Sequence, residues 1–179
     1  FNWTTHFNIT FAKNKLLSFP GLETSSYNQQ YRIGEPLNIK LFYQFERVNP
    51  QTGIYEFKDV NQDGKITFPD DKQTVVDLNP EYYGGIQNTL TYKGFALDFL
   101  FQFVKQQNRL YPMGVAGLMS NQPARMVNNW KEAGDIADYQ RYATGTNLNA
   151  VSGDNLYTES TASITDASYI RLKNISLSY

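Results

Sequence analysis

The sequence predicts an all-β protein built of antiparallel strands, and three observations carry that prediction. Aromatic residues make up 15% of its 179 residues, and Tyr, Phe, Thr, Ile and Val suit pleated surfaces. Long stretches alternate apolar and polar residues with a period of two, as a half-buried strand does. Between two such stretches sits Lys93-Gly94, a two-residue turn of the kind that closes a hairpin.

Composition excludes several classes. A formal net charge of −1 gives no electrostatic case for nucleic acid or an anionic membrane surface. The absence of cysteine removes thiolate metal sites, cysteine nucleophiles and disulfides. His6 is the single histidine, so no second imidazole can assist it in catalysis or zinc ligation. No run of 18 apolar residues occurs, so no transmembrane helix is expected. A mean hydropathy of −0.50 is compatible with a membrane β-barrel, whose strands alternate and average out as polar. The chain begins at Phe1 without Met and ends at Tyr179 in a predicted strand, which reads as a piece of a longer protein.

The elements follow in order. In residues 3–13, WTTHFNITFAK, Trp3, Thr5, Phe7, Ile9 and Phe11 share one face and His6 lies on the polar one. Residues 14–35 read as a loop through Ser18-Phe19-Pro20-Gly21. Residues 37–47, LNIKLFYQFER, alternate again, with Phe42 as the exception. Residues 48–83 form a long connection with a short strand at Ile54 to Phe57. The hairpin 85–104 is the clearest element, with Phe95, Leu97, Phe99, Phe101 and Phe103 on one side. That stripe runs eight steps, roughly 26 Å at ~3.3 Å each; tilted by ~40° it rises about 20 Å, near the ~25 Å band of an outer-membrane barrel. A long strand of a soluble sandwich fits the same stripe.

Residues 107–165 are a very long connection. Asn121 to Gly134 has the signals of a short helix, with Met126, Val127 and Trp130 as its apolar stripe; residues 135–165 read as polar loop. In the last strand, DASYIRLKNISLSY, Tyr169, Ile175, Leu177 and Tyr179 share a parity. Arg171 and Lys173 interrupt it, and Ile170 and Leu172 fall on the polar parity, placing that half toward a rim. Tyr169 and Tyr179 then mark the two aromatic girdles. About five strands result. Counting them places 14–35 on the same side of the sheet as the Lys93-Gly94 turn, although 22 residues is long for a turn on that side and an extra hairpin strand near Tyr55 changes the count.

One motif carries chemistry. DVNQDGKITFPDD, residues 59–71, has the spacing of a calcium loop. Asp59, Asn61 and Asp63 take the first, third and fifth positions, Gly64 allows the sharp turn, Lys65 offers its backbone carbonyl, and Asp70 falls at the twelfth. The alternative is a turn whose side chains bond their own backbone without metal. No amphipathic helix pair flanks the loop, so bound calcium would fasten it rather than switch it. No catalytic constellation is present: no Ser/His/Asp arrangement, no phosphate loop, no carboxylate pair on one strand face. An enzymatic role is not expected.

Taken together these segments resemble the C-terminal part of the SusC/RagA family of TonB-dependent outer-membrane transporters, typical of Bacteroidota. FNWTTHFNITFAKNKLL is similar to the family's Trp-started strand with its Asn-Lys run. TGIYEFKDVNQDGKITFPDD is similar to its D-x-N-x-D-G-x-I-x-x-x-D segment. NPEYYGGIQNTLTYKGFALDFLFQF and DASYIRLKNISLSY are the most specific matches. The resemblance implies residues 1–179 as part of a single-chain transmembrane barrel, with 48–83 and 107–165 as loops, the latter extracellular. It implies an outer-membrane location in contact with lipid, a plug domain and a TonB contact in N-terminal parts that this sequence does not contain, and a SusD-like lipoprotein partner. The implied task is uptake of oligosaccharide or peptide. The competing reading is a soluble carbohydrate-binding β-sandwich with a calcium-stabilised loop.

Overall fold

The computed structural model describes residues 1–110, 114–115 and 117–179. In chain order its strands are β1 (Asn2–Thr10), β2 (Ile39–Phe42), β3 (Phe45–Val48), β4 (Tyr55–Phe57), β5 (Thr74–Asp77), β6 (Tyr82–Tyr92), β7 (Phe95–Lys105), β8 (Gln107–Arg109), β9 (Ile164–Asp166) and β10 (Tyr169–Ser178). One α-helix, α1, spans Leu148–Thr158. The principal sheet has four strands in the order β1-β6-β7-β10, all antiparallel. The expected all-β antiparallel class is therefore the observed one, with four wall strands where about five were expected.

Alternation fixes the two faces of this wall. Register pairs Trp3 with Leu90, Phe7 with Ile86, Leu90 with Leu97 and Ile86 with Phe101, so one face is apolar across the strands. The opposite face carries His6, Asn8, Gln87, Asp98 and Gln102. Asp98 there accepts from Gln87 Nε2 at 3.0 Å and Thr89 Oγ1 at 2.7 Å.

The break of parity in the last strand has a local cause. Register shifts between Leu172 and Asn174, leaving Lys173 as the extra residue of a β-bulge, which re-phases a strand by one position. Leu172 pairs with Phe101 and Ile175 with Phe99. Ile170, Leu172, Ile175 and Leu177 thus share the apolar face along the whole strand, contrary to the expectation that the first half leaves it. Tyr169, paired with Val104, lies on the polar face and marks no girdle.

Lys93 and Gly94 have φ of 46° and 90°, both positive as a type I′ turn requires. This turn and both chain ends lie at one end of the wall; there Phe95 meets Tyr179 at 4.6 Å between ring centroids. At the other end, Thr10 pairs with Tyr83, Tyr82 with Lys105 and Tyr169 with Val104. Residues 11–81 and 106–168 therefore leave and re-enter the wall at the same end, opposite the tight turn. This topology decides the side of 14–35, which strand counting leaves open, and puts it opposite the tight turn. The difference from the count comes from the stretch 37–47, which is not a wall strand.

That stretch splits at Tyr43. β2 pairs with β5 and β3 with β4, in two separate small sheets. Phe42 breaks the alternation because Leu41, Phe42 and Tyr43 are all buried: the chain there is covered on both faces.

Candidate functional site

The two long connections fold onto each other to form a cap over one end of the wall. Its core is a cluster of Tyr43, Val48, Tyr55, Phe57, Trp130 and Tyr157, drawn from both connections. Tyr55 and Tyr157 stack at 4.4 Å and 20°. The Phe45 ring meets Tyr55, Phe57 and Tyr157 edge-on at 5.6, 5.9 and 5.7 Å, the geometry that the ring quadrupole favours. Burial pushes the Tyr157 hydroxyl up to about 12 and raises that of Tyr55 further; both stay protonated at any physiological pH.

Backbone bonds fasten the halves. Tyr43 N donates to Glu159 O at 3.0 Å, and Thr161 N donates to Tyr43 O at 2.9 Å. Lys72 pairs with Glu159. The Pro50-to-Gly53 turn is gripped from the other connection: Trp130 Nε1 donates to Pro50 O at 2.9 Å and Arg141 N donates to Gly53 O at 2.8 Å. Gly53, at φ +69°, lies so close under Trp130 that a Cβ would stand 2.4 Å from its ring.

The helix of the cap was not foreseen where it lies. The Asn121 to Gly134 helix is only a short 3-10 turn, Ala124–Asn128. Of its expected stripe, Met126 and Trp130 are buried but Val127 is exposed. The α-helix α1 lies in the stretch read as polar loop. Its signal was present: Asn147 caps it, the side chain accepting from Ala150 N, and Ala150, Gly153 and Tyr157 are buried at helical spacing. Small residues hid the stripe. Gly153 lets the helix sit against Gln140, whose Nε2 donates to Ala150 O at 2.7 Å. Of the expected loop 107–165, residues 111–113 and 116 lie outside the described residues.

The candidate calcium loop is closed by its own side chains. Asp59 Oδ1 accepts from Gln62 N at 2.6 Å and Asp59 Oδ2 from Gly64 N at 2.7 Å. Asn61 Oδ1 accepts from Asp63 N, and Asp63 Oδ1 from Lys65 N at 2.9 Å. Asp70, expected at the twelfth position, is exposed. The carboxylate that faces the loop is its neighbour Asp71, with 0% of its surface exposed. Asp71 accepts from Val60 N at 2.7 Å and Thr67 N at 2.8 Å, and these amides, Thr67 first, hold its carboxyl below the usual aspartate range. Calcium takes six to eight oxygens, and among the described residues no three Asp, Glu or His side chains converge on a metal position.

An antiparallel wall with one face apolar except for the hydrogen-bonded Thr5 and Asn88, a tight turn at one end and a cap of long connections at the other is the build of a barrel segment. Comparison with known proteins gives it relatives. The chain is 27% identical over 207 residues to TonB-dependent receptor P3 of Formosa agariphila, covering 100% of this chain and 20% of that protein. It is 26% identical over 207 residues to TonB-dependent receptor P26 of the same organism, with the same coverage. Among solved structures, the RagAB peptide transporter matches 98% of this chain and 20% of its own, with a TM-score of 0.59 and 22% identity. No family model matches the chain. The chain is thus a relative of the TonB-dependent receptors with the fold of a RagAB segment, as the resemblance to SusC/RagA transporters implied. It spans about one fifth of the length of the curated relatives it matches, 20%.

Proposed function

We propose that this chain supplies part of the barrel wall and part of the external cap of an outer-membrane TonB-dependent importer of oligosaccharides or peptides. Its role there is non-catalytic. In this reading the apolar face meets lipid, the polar face lines the barrel interior, and the cap meets cargo and a SusD-like lipoprotein, while TonB acts through other parts of the receptor.

The observation that carries the reading is the polarity of the wall. Ile170 and Leu177 are 78% and 71% exposed on a face that is apolar across four strands but for the mutually hydrogen-bonded Thr5 and Asn88, and an apolar surface of that extent needs a cover. Both long connections leave one end while the other closes in two residues, the asymmetry of outer-membrane barrels, whose long loops face outward. The soluble-sandwich reading has no second sheet to offer this face: among the described residues the other three sheets have two strands each and belong to the cap.

The test uses the lack of cysteine in the chain. Ile136→Cys on the cap and Lys93→Cys at the turn are placed singly in the receptor, and intact cells are treated with a membrane-impermeant maleimide. Labelling at position 136 and protection at 93 until the cells are broken are expected. Equal labelling at both sites, or recovery of the protein in a soluble fraction, refutes the proposal.

A further inference from the structure

A cleft of ≈ 710 Å³ opens where the first connection meets the wall, between residues 11–13, which continue from β1, and residues 75–77 of β5. Successive side chains of a strand point to opposite faces, so consecutive residues of β5 line a cleft together only along the edge of the strand. On its other side β5 is paired with β2, which contributes nothing to the lining. The edge that faces the cleft is therefore the unpaired one.

That edge lacks the devices that keep edge strands unpaired, which are charged side chains, Pro and bulges. The β3–β4 ribbon carries Glu46, Arg47 and Glu56, the last two joined at 2.7 Å. By contrast β5 reads Thr-Val-Val-Asp, with even register along its whole length. Its one charge, Asp77, is drawn back into the following turn, where it accepts from Asn79 N at 2.8 Å and from Asn79 Nδ2 at 2.7 Å. Across the cleft, residues 11–13 make no backbone–backbone hydrogen bond among the described residues. Both lips thus offer main-chain donors and acceptors. A four-residue extended chain, at ~3.3 Å per residue, ~4.8 Å between strands and ~10 Å through its side chains, fills roughly 630 Å³. The cleft has room for one strand and not for two.

We propose that this cleft takes one strand of the receptor's own chain, added to the free edge of β5: the external connection of the strand that pairs with β1. The proposal rests on the importer reading above. β1 is the outermost strand of the wall, with one edge unpaired among the described residues, and a closed barrel leaves no edge. An antiparallel neighbour on that edge emerges at the cap end beside Thr10, so its connection starts at the lip formed by residues 11–13. This chain spans 20% of its curated relatives, and the rest of such a receptor supplies the neighbour. Strand addition is held by main-chain bonds, so the cap is tied to a third connection and not to the wall alone.

Val76→Cys on β5 and Ala12→Cys on the opposite lip are placed singly in the full receptor, purified in detergent, with any cysteine outside this chain replaced by Ser. Each is alkylated with a benzophenone maleimide and irradiated, and the cross-linked peptides are mapped by mass spectrometry. Both positions are expected to capture the same receptor segment from outside residues 1–179. Amide exchange on the wild-type receptor, read residue by residue, is expected to show even protection along Thr74–Asp77; an open edge strand shows alternating protection, because every second amide points away from its partner. Variants are compared only after showing the heat-dependent gel shift of an intact barrel; should Val76→Cys fail it, Ala12→Cys and the wild-type exchange pattern decide. Cross-links confined to residues 1–179, capture of a co-purifying lipoprotein or peptide in place of the receptor, or alternating protection along β5 overturns the proposal. The maleimide pattern at positions 136 and 93 does not depend on this strand, so an unfilled edge with that pattern intact removes the added strand and leaves the importer.

Discussion

Gly53→Ala tests whether the two connections form one cap. The new methyl would lie 2.4 Å from Cδ2 and Cε3 of Trp130. The ring cannot swing aside cheaply, because Nε1 is tied to Pro50 O at 2.9 Å and the Arg141 guanidinium covers its face at 5.3 Å. Overpacking of this kind costs ~1–3 kcal/mol. A side chain at φ +69° adds ~1–2 kcal/mol of backbone strain. The sum is about 2–5 kcal/mol, a rise in local opening of roughly 30-fold or more, at ~1.4 kcal/mol per tenfold. Trp130→Ala alone costs about 3–5 kcal/mol as a buried aromatic. In that background the methyl meets no ring, so Gly53→Ala costs only its backbone strain, and the two changes couple by ~1–3 kcal/mol. The assay is amide exchange on the intact receptor, read at residues 53–57 and 130–141 with β6 and β7 as internal reference. Coupling below about 0.5 kcal/mol, the usual limit of additivity, or equal loosening of the wall strands, refutes a cap with its own core.

Three further outcomes are expected. Asp71→Asn turns an N–H toward the amides of Val60 or Thr67 and should loosen residues 59–71 by ~1–3 kcal/mol. Because the Asp71 carboxyl is held below the usual aspartate value of 3.8 by those amides, its contribution is complete above that pH and is lost as pH falls through its lower folded value; exchange in the loop should accelerate only there, and a loop already open at about pH 5 contradicts the assignment. Calcium held by Asp59, Asn61, Asp63, Asp70 and the Lys65 carbonyl stands as a proposal of the residue pattern. The self-capped loop predicts instead that exchange across 55–75 is the same with calcium and with a chelator, and protection that collapses only in chelator would restore the ion. Deleting Lys173 removes the bulge residue and leaves Leu172, Asn174 and Ile175 in plain alternation, so the heat shift of the barrel should survive. Deleting Gln102 sends half of β7 to the wrong face and should abolish it; equal effects of the two deletions would show that the bulge does not set the phase.

The wall was legible because its signal is local. Each strand of the 85–104 hairpin displays its faces in its own residues, and the turn between them is named by Lys93-Gly94. The cap was not, because its elements are defined by partners far along the chain. Residues 37–47 alternate like a wall strand, and nothing within them says that Tyr43 will turn its backbone to Glu159 and Thr161. Helix α1 buries Ala150, Gly153 and Tyr157, two of them too small to register as an apolar stripe. The calcium spacing puts Asp70 at the twelfth position, and only the fold shows that Asp70 is exposed while its neighbour Asp71 faces inward, where Val60 and Thr67 hold it. In each miss a tertiary contact decided between two locally acceptable conformations.

The same division bears on how such a segment works. The wall gains its stability from strand pairing and from whatever covers its apolar face. The cap gains its stability from six buried side chains shared by two connections and from backbone bonds between them. Neither connection holds a core alone: Tyr55 stacks on Tyr157, and Gly53 docks under Trp130. A force or ligand that displaces one connection must therefore carry the other with it or expose the shared aromatic core. The expected motion is that of one lid hinged where the connections meet the wall, not of two independent loops, and the Gly53–Trp130 cycle measures the contact on which that difference turns.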